Sequence, residues 1–174
     1  MTMRLRVDTA ARLLHFNGEA IPCAIGKGGA CAASEKREGD GCTPRGIWPI
    51  RGALLRPGRV ALTRAPLLPW RWTRANDGWS DSIDDPAYNR PILLPHPFSH
   101  EHLQREDAAY DIVIVLGHND APPQPGLGSA IFWHIWVADT VGLPKPTEGC
   151  IAISRADMDR ILPALESSMA MEIQ

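Results

Sequence analysis

The chain has 174 residues, and its 44% of apolar residues is enough for one domain, residues 1–174, with a sizeable core. The 22% of charged residues are scattered and sum to a net charge of -2, which excludes a basic surface for nucleic acid. No segment approaches the ~20 apolar residues of a membrane-spanning helix, and residues 1–8 do not have the pattern of a secretion leader.

The N-terminal part predicts an antiparallel β start. Short alternating segments indicate three strands, at residues 4–8, 12–16 and 20–25. Asn17-Gly18 between the last two is typical of a hairpin turn. With sixteen prolines and fifteen glycines in the chain, we expect short elements joined by shaped loops, which makes an all-helical fold improbable.

The middle of the chain predicts loops around one strand. Residues 26–46 are rich in glycine and charge and indicate a long functional loop, after which residues 47–51 resume a strand pattern. Residues 66–102 show neither a helical nor a strand period, so we interpret them as a loop-rich insertion packed by tryptophans.

The last third predicts three more strands and a helix. The strands are expected at residues 110–116, 131–137 and 149–153. Ser154 is a predicted helix N-cap, with Asp157 three positions later and apolar residues following at helical spacing. The pattern therefore predicts a mainly β domain that ends in one amphipathic helix.

One cysteine and one histidine are candidates for nucleophilic chemistry. Cys150 opens a predicted strand and His134 lies in the strand before it, so the two side chains can lie side by side. Gly149 lets the backbone approach a bound carbonyl, with N–H groups near Cys150 as an oxyanion hole. By spacing alone, a buried thiol and a core histidine are the favoured reading of these residues.

Two motifs resemble a known family. Residues 147–151, Thr-Glu-Gly-Cys-Ile, with His134 upstream, are similar to the catalytic signature of L,D-transpeptidases of the YkuD type. Residues 36–46, Lys-Arg-Glu-Gly-Asp-Gly-Cys-Thr-Pro-Arg-Gly, resemble a second motif of that family. Segments 77–81, 88–90 and 128–132 resemble a compact branch of it, so the likeness covers nearly the whole chain.

The resemblance implies a β-sandwich of mixed sheets with long loops, whose catalytic cysteine lies at the mouth of a cleft. It implies that the cysteine takes the acyl group of a peptidoglycan stem peptide as a thioester. This acyl group then passes to the diaminopimelate amine of a second stem. It also implies a monomer in the periplasm or cell wall, acylation by carbapenems, and no metal or cofactor.

The resemblance implies roles for individual residues. Cys150, His134 and Gly149 are expected to be catalytic, with His134 as the base. The residues expected to contact substrate are His118, Thr147, Glu148, Trp133 and Ile151. A structural role at the end of a strand stays open for His118, and a place in the core stays open for Trp133.

The chain departs from the family pattern at two positions. Glu148 stands where many members have histidine, and Ala152 stands where arginine or asparagine is common. Without the basic residue a donor carboxylate lacks an obvious partner, so we expect a variant acyl donor, cleaved after the first L-alanine of the stem. Rival readings are an L,D-carboxypeptidase or amidase that uses the same cysteine, and a wall-binding module without activity.

Three further patterns have two readings each. His96, His100 and His102 could hold zinc with Glu101 or Asp120, but their proline-rich surroundings favour a solvated loop. Cys31 and Cys42 could close a disulfide loop, or remain buried thiols. The carboxylates of residues 38 and 40 could act as acid and base, but a role in shaping the loop is favoured.

Overall fold

The computed structural model describes residues 4–174, so residues 1–3 of the N-terminal segment lie outside the described part. Within that part, the strands are β1 Arg4–Asp8, β2 Leu13–Phe16, β3 Glu19–Pro22, β4 Ala30–Ala32, β5 Thr43–Leu55, β6 Trp70–Trp72, β7 Asp77–Ser80, β8 Pro91–Leu93, β9 His100–His102, β10 Ile112–Leu116, β11 Phe132–Ile135, β12 Ile151–Ile153 and β13 Ala170–Ile173. Helix α1 spans Arg155–Ile161 and continues as a 3-10 turn, Leu162–Ala164.

The long strand β5 organises the main sheet. Its first half, residues 46–49, pairs with β13, and its second half, residues 50–55, pairs with β10. The strand order is β12-β11-β10-β5-β13-β1-β2-β3, and β4 and β6 also pair with β5. Parallel pairs, such as β11 with β12 and β1 with β13, occur beside antiparallel ones, which confirms the predicted mixed pairing.

The N-terminal hairpin forms as predicted. Asn17 and Gly18 both have positive φ angles, 49° and 83°, as a two-residue hairpin turn requires. The third strand ends at Pro22, three residues earlier than predicted. Beyond it, Ala24 forms an isolated bridge to Ala152, so this segment crosses to the edge strand that follows the candidate nucleophile.

Two predicted loops contain short strands. Residues 26–46 include β4 and the first residues of β5. Residues 66–102 include β6 and a separate three-stranded sheet of order β8-β7-β9. Strands of three or four residues, separated by prolines and turns, are too short to show a period in the sequence, which explains both corrections.

The predicted helix is confirmed, but it does not end the domain. Ser154 caps α1 by accepting from the Asp157 N–H, and Met158 and Ile161 face the core. Strand β13 follows and lies between β5 and β1 near the middle of the sheet. Its Ala-Met-Glu-Ile sequence lacks the run of β-branched residues that would have marked a strand.

Two clusters of buried side chains form the core. The larger cluster draws residues from β1, β2, β3 and β13 and from β5, β10, β11 and β12, with α1 packed against it. This arrangement confirms the expected β-sandwich fold class. The smaller cluster contains Tyr110, Phe132 and Cys150 and lies on the opposite face of β10 and β11. Among residues 4–174, no helix is long and apolar enough to cross a membrane.

Candidate active site

The alternation of side chains along strand β11 decides which face of the sheet carries His134. Successive side chains of a strand point to opposite faces of the sheet. Trp133 and Ile135 belong to the larger core cluster, while Phe132 belongs to the smaller one. His134 shares the face of Phe132 and lies beside Ala152 of β12 in register. The imidazole is therefore placed on the side of the sheet that carries Cys150.

Cys150 lies immediately before β12, and backbone groups at the start of the neighbouring strand β11 hold its side chain. Its Sγ donates to the Ala130 carbonyl at 3.2 Å and accepts from the Phe132 N–H at 3.4 Å. Only 7% of the residue is exposed. The thiol is thus fixed in position at the wall of a cavity.

Cys150 and His134 line the same cavity, which has a volume of about 490 Å³. Charged residues of both signs surround it, which suits a ligand that itself carries charges of both signs. The charged lining residues are Lys36, Glu38, Asp81, Glu101, Arg105, Asp107, Lys145 and Glu148. The structure therefore brings the two predicted catalytic side chains to one pocket.

Burial keeps this pair neutral. Burial lowers the pKa of His134 to about 4, and burial raises the pKa of the Cys150 thiol to about 12. The His134 Nδ1 lies 2.8 Å from the Ile135 carbonyl oxygen. Because a carbonyl only accepts, Nδ1 carries the proton of the neutral ring and Nε2 is the basic nitrogen. Nε2 is therefore the ring nitrogen that is available as a base.

The loop of residues 36–46 packs directly against the nucleophile. Thr43 Oγ1 donates to the Gly149 carbonyl at 2.9 Å and accepts from the Gly26 N–H at 2.8 Å. Both sequence motifs therefore belong to one structural unit.

The carboxylates of the same loop have structural partners. Glu38 accepts hydrogen bonds from Tyr88 and Ser129. Asp40 pairs with the buried Lys36. These contacts support the reading in which both acidic residues shape the loop.

The segment before Cys150 forms a tight turn. Thr147 Oγ1 donates to the Cys150 carbonyl at 2.7 Å and accepts from the Gly149 N–H at 3.1 Å. Glu148 lies at the rim and forms an ion pair with Lys27, with a nitrogen to oxygen distance of 2.7 Å. Thr147 and Glu148 line the cavity, as a role in substrate binding requires.

Three residues expected to bind substrate do not line this cavity. Trp133 and Ile151 are fully buried in the larger core cluster, on the other face of their strands. His118 is 5% exposed, its Nε2 donates to the Leu127 carbonyl oxygen at 3.0 Å, and its ring packs edge-on against Trp48. The period of two along each strand explains the first two placements. The third lies two residues beyond the end of β10, where Leu127 and Trp48 enclose it.

Tyr110, which the sequence does not single out, contacts His134. Its ring packs edge-on against the imidazole with 5.3 Å between ring centres. Its hydroxyl donates to Glu101 Oε2 at 3.1 Å. Glu101 and Arg105, which the sequence analysis did not assign to the active site, also line the cavity. Only their place in the fold reveals them, because they and Tyr110 lie 40 to 49 residues before the nucleophile in the chain.

Two other histidines and two other cysteines have partners of their own. His96 Nε2 lies 2.6 Å from Asp85, and His100 Nδ1 lies 2.7 Å from the Phe98 carbonyl oxygen. In the part of the chain from residue 4 onward, no group of three possible metal ligands is found. Cys31 and Cys42 form a disulfide, which ties β4 to the start of β5.

Replacing Gly149 with alanine should disable the site. Gly149 has a φ of +136°, and an added Cβ would lie 2.9 Å from the Cys42 carbonyl oxygen. We expect a loss of about 1–3 kcal/mol in unfolding free energy, together with displacement of the thiol and loss of its acylation. Thermal denaturation and mass spectrometry check both effects.

Gly58→Ala is the matched control, because Gly58 also has a positive φ but open space around it. It should lose stability without losing acylation. Full acylation of the Gly149→Ala variant would contradict the tight fit inferred here.

A buried thiol and a neutral imidazole that line one cavity of a mainly β fold define a candidate cysteine-dependent active site. The sequence model of the L,D-transpeptidase catalytic domain (YkuD) matches residues 2–173. The chain belongs to this family, whose members are cysteine-dependent transpeptidases that act on peptidoglycan of the cell wall. A comparison with curated proteins finds no match.

Three solved structures are similar to the chain. The L,D-transpeptidase of Xylanimonas cellulosilytica is 12% identical, with 98% of this chain and 59% of that chain covered and a TM-score of 0.40. L,D-transpeptidase 1 of Mycobacterium tuberculosis is 14% identical, with 99% and 61% covered and a TM-score of 0.40. The L,D-transpeptidase of Mycobacterium smegmatis is 14% identical, with 99% and 58% covered and a TM-score of 0.42. The chain thus spans about three fifths of the length of these proteins.

Proposed function

We propose that the chain is a peptidoglycan L,D-transpeptidase that works through a thioester on Cys150. The observation that carries this proposal is the cavity that Cys150 and His134 line together. Family membership supports the class of reaction, and the neutral pair supports a mechanism in which the base acts during attack. We place the activity in the periplasm or cell wall, where the polymer lies.

The proposed first step forms the acyl-enzyme. Sγ of Cys150 attacks the carbonyl carbon of the donor stem, and its proton moves to Nε2 of His134. The bond from the carbonyl carbon to nitrogen breaks, and His134 returns the proton to the leaving amine. The buried position of both groups supports this order, because neither is charged before the substrate arrives.

The second step transfers the acyl group. The side-chain amine of a second stem attacks the thioester carbonyl, and His134 takes a proton from the amine as the new amide forms. The bond from carbon to sulfur then breaks and the thiol is restored by the proton on His134. No cofactor enters this scheme.

We also propose a variant acyl donor. Ala152 is fully buried beside His134 in the register of β11 and β12, where it offers no charge to a donor carboxylate. Glu148 at the rim is neutralised by Lys27. We therefore propose a donor whose scissile bond follows the first L-alanine of the stem, which gives links from L-alanine to diaminopimelate.

Incubation of the purified chain with stem peptides tests the proposal. Cross-linked dimers with L-alanine in the new amide are expected, and mass spectrometry of the products identifies the linked residues. Shortened monomers without dimers would indicate hydrolysis by a carboxypeptidase or amidase. Only links between two diaminopimelate residues would contradict the variant donor while leaving the transfer reaction intact.

A further inference from the structure

Tyr110 connects two oppositely charged residues of the cavity to the catalytic imidazole. Its hydroxyl donates to Glu101, and the Arg105 guanidinium lies over its ring at 5.1 Å from the ring centre. The same ring packs against His134. Because Tyr110 is itself only 6% exposed, it fixes the relative places of all three side chains.

Glu101 is a carboxylate in a place that disfavours negative charge. Burial is the main cause that raises its pKa, and the charges of Asp81 and Glu38 add to it. The Tyr110 hydrogen bond and the Arg105 charge offset only part of this rise in pKa. Asp81 Oδ1 is buried and has no hydrogen-bond partner among residues 4–174. Burial raises the pKa of Cys150 first, and the charge of Glu101 adds to it, so Glu101 lies within electrostatic range of the thiol. A cation bound here would lower the pKa of Glu101 and the pKa of the Cys150 thiol.

Asp107 orients the Arg105 guanidinium, which has further N–H donors. Its Nε and Nη2 donate to the two Asp107 oxygens at 3.0 and 2.8 Å, which fixes the plane of the guanidinium. A guanidinium has five N–H donors, so further donors remain for an anion. The side chain is 42% exposed and lines the cavity, so an incoming carboxylate can reach it.

We propose that Glu101 and Arg105 form the acceptor subsite and select an amine that carries a free carboxylate on the same residue. The acceptor enters as an ammonium that binds Glu101, and it releases one proton to solvent before the neutral amine attacks. The carboxylate binds Arg105, and Tyr110 sets the spacing of the two groups relative to His134. This inference rests on the proposed transfer reaction, since hydrolysis needs no acceptor.

The chemistry of the two substrates assigns these residues to the acceptor. The reacting group of a donor is an uncharged amide carbonyl, whereas an acceptor amine is charged at neutral pH. A neutral His134 does not repel an ammonium, and the carboxylates on this wall attract it. A zwitterionic acceptor thus matches the two charges that meet at Tyr110.

Charge-removing variants test the subsite. The acceptors are a stem peptide with a free diaminopimelate carboxylate and the same peptide with that group amidated. Glu101→Gln should raise the acceptor KM about 10-fold to 100-fold and shift the thioester from transfer to hydrolysis. Arg105→Gln should remove the preference for the free carboxylate over the amide. Glu106→Gln is the control, because Glu106 is exposed and does not line the cavity.

Each outcome has a distinct meaning. Acylation of Cys150 by a carbapenem in the Glu101→Gln variant shows that the nucleophile survives the substitution. An unchanged acceptor KM in that variant, with active transfer in the wild type, would overturn the subsite alone. A wild-type chain that forms the thioester but only hydrolyses it would overturn the transfer reaction and the subsite together.

Discussion

Replacing Cys150 with alanine should lower cross-link formation by at least about 10³-fold, because it removes the sulfur that forms the proposed thioester. The fold should survive, since the substitution removes one atom from a site with a cavity on one side. Product analysis with stem peptides measures the loss, and thermal denaturation measures stability.

Cys23→Ala is the matched control for this variant. Burial raises the pKa of both thiols to about 12, so acidity does not distinguish them. Cys23 instead belongs to the larger core cluster, whereas Cys150 lines the cavity with His134. Cross-linking should therefore persist in Cys23→Ala. Its loss there, with activity retained in Cys150→Ala, would overturn the assignment of the nucleophile.

Replacing His134 with glutamine should lower the rate of acylation about 10²-fold to 10⁴-fold, because the thiol loses its proton acceptor. Glutamine keeps a polar group near the Ile135 carbonyl, so a collapse of the strand is not expected. His15→Gln, in strand β2 away from the cavity, is the control and should retain the wild-type rate. Equal rates in all three proteins would show that His134 is not the base.

The pH dependence of the wild-type rate follows from the same imidazole. Burial lowers the pKa of His134 to about 4, so the ring is neutral and basic throughout the range above that pH. The rate of acylation should therefore fall on the acid side only near pH 4. A half-maximal rate near the ordinary histidine pKa of about 6.5 would show that the ring is solvated in the working enzyme.

Much of the fold could be predicted from local patterns. The hairpin at Asn17-Gly18, the apolar run of β10 and the Ser154 cap each depend on neighbours within a few residues. Strand β13 could not be predicted, because its place between β5 and β1 depends on partners more than a hundred residues away. The sheet of β7, β8 and β9 could not be predicted for a different reason, because its strands are only three or four residues long.

The candidate site could be predicted only in part. The motif around Cys150 and the strand that carries His134 are visible in the sequence, because both lie in one stretch of chain. Tyr110, Glu101 and Arg105 carry no motif and reach the cavity through the fold. Trp133 is adjacent to His134 in sequence and therefore lies on the opposite face of the strand, in the core, which is the alternative that the sequence left open.

Rapid quenching of a reaction with a donor stem peptide tests the central claim most directly. The mass of the chain should rise by the mass of the donor acyl group, and peptide mapping should place that group on Cys150. The same experiment with His134→Gln should show much slower formation of the adduct. Cross-linked product that accumulates while Cys150 stays unmodified would contradict the thioester mechanism.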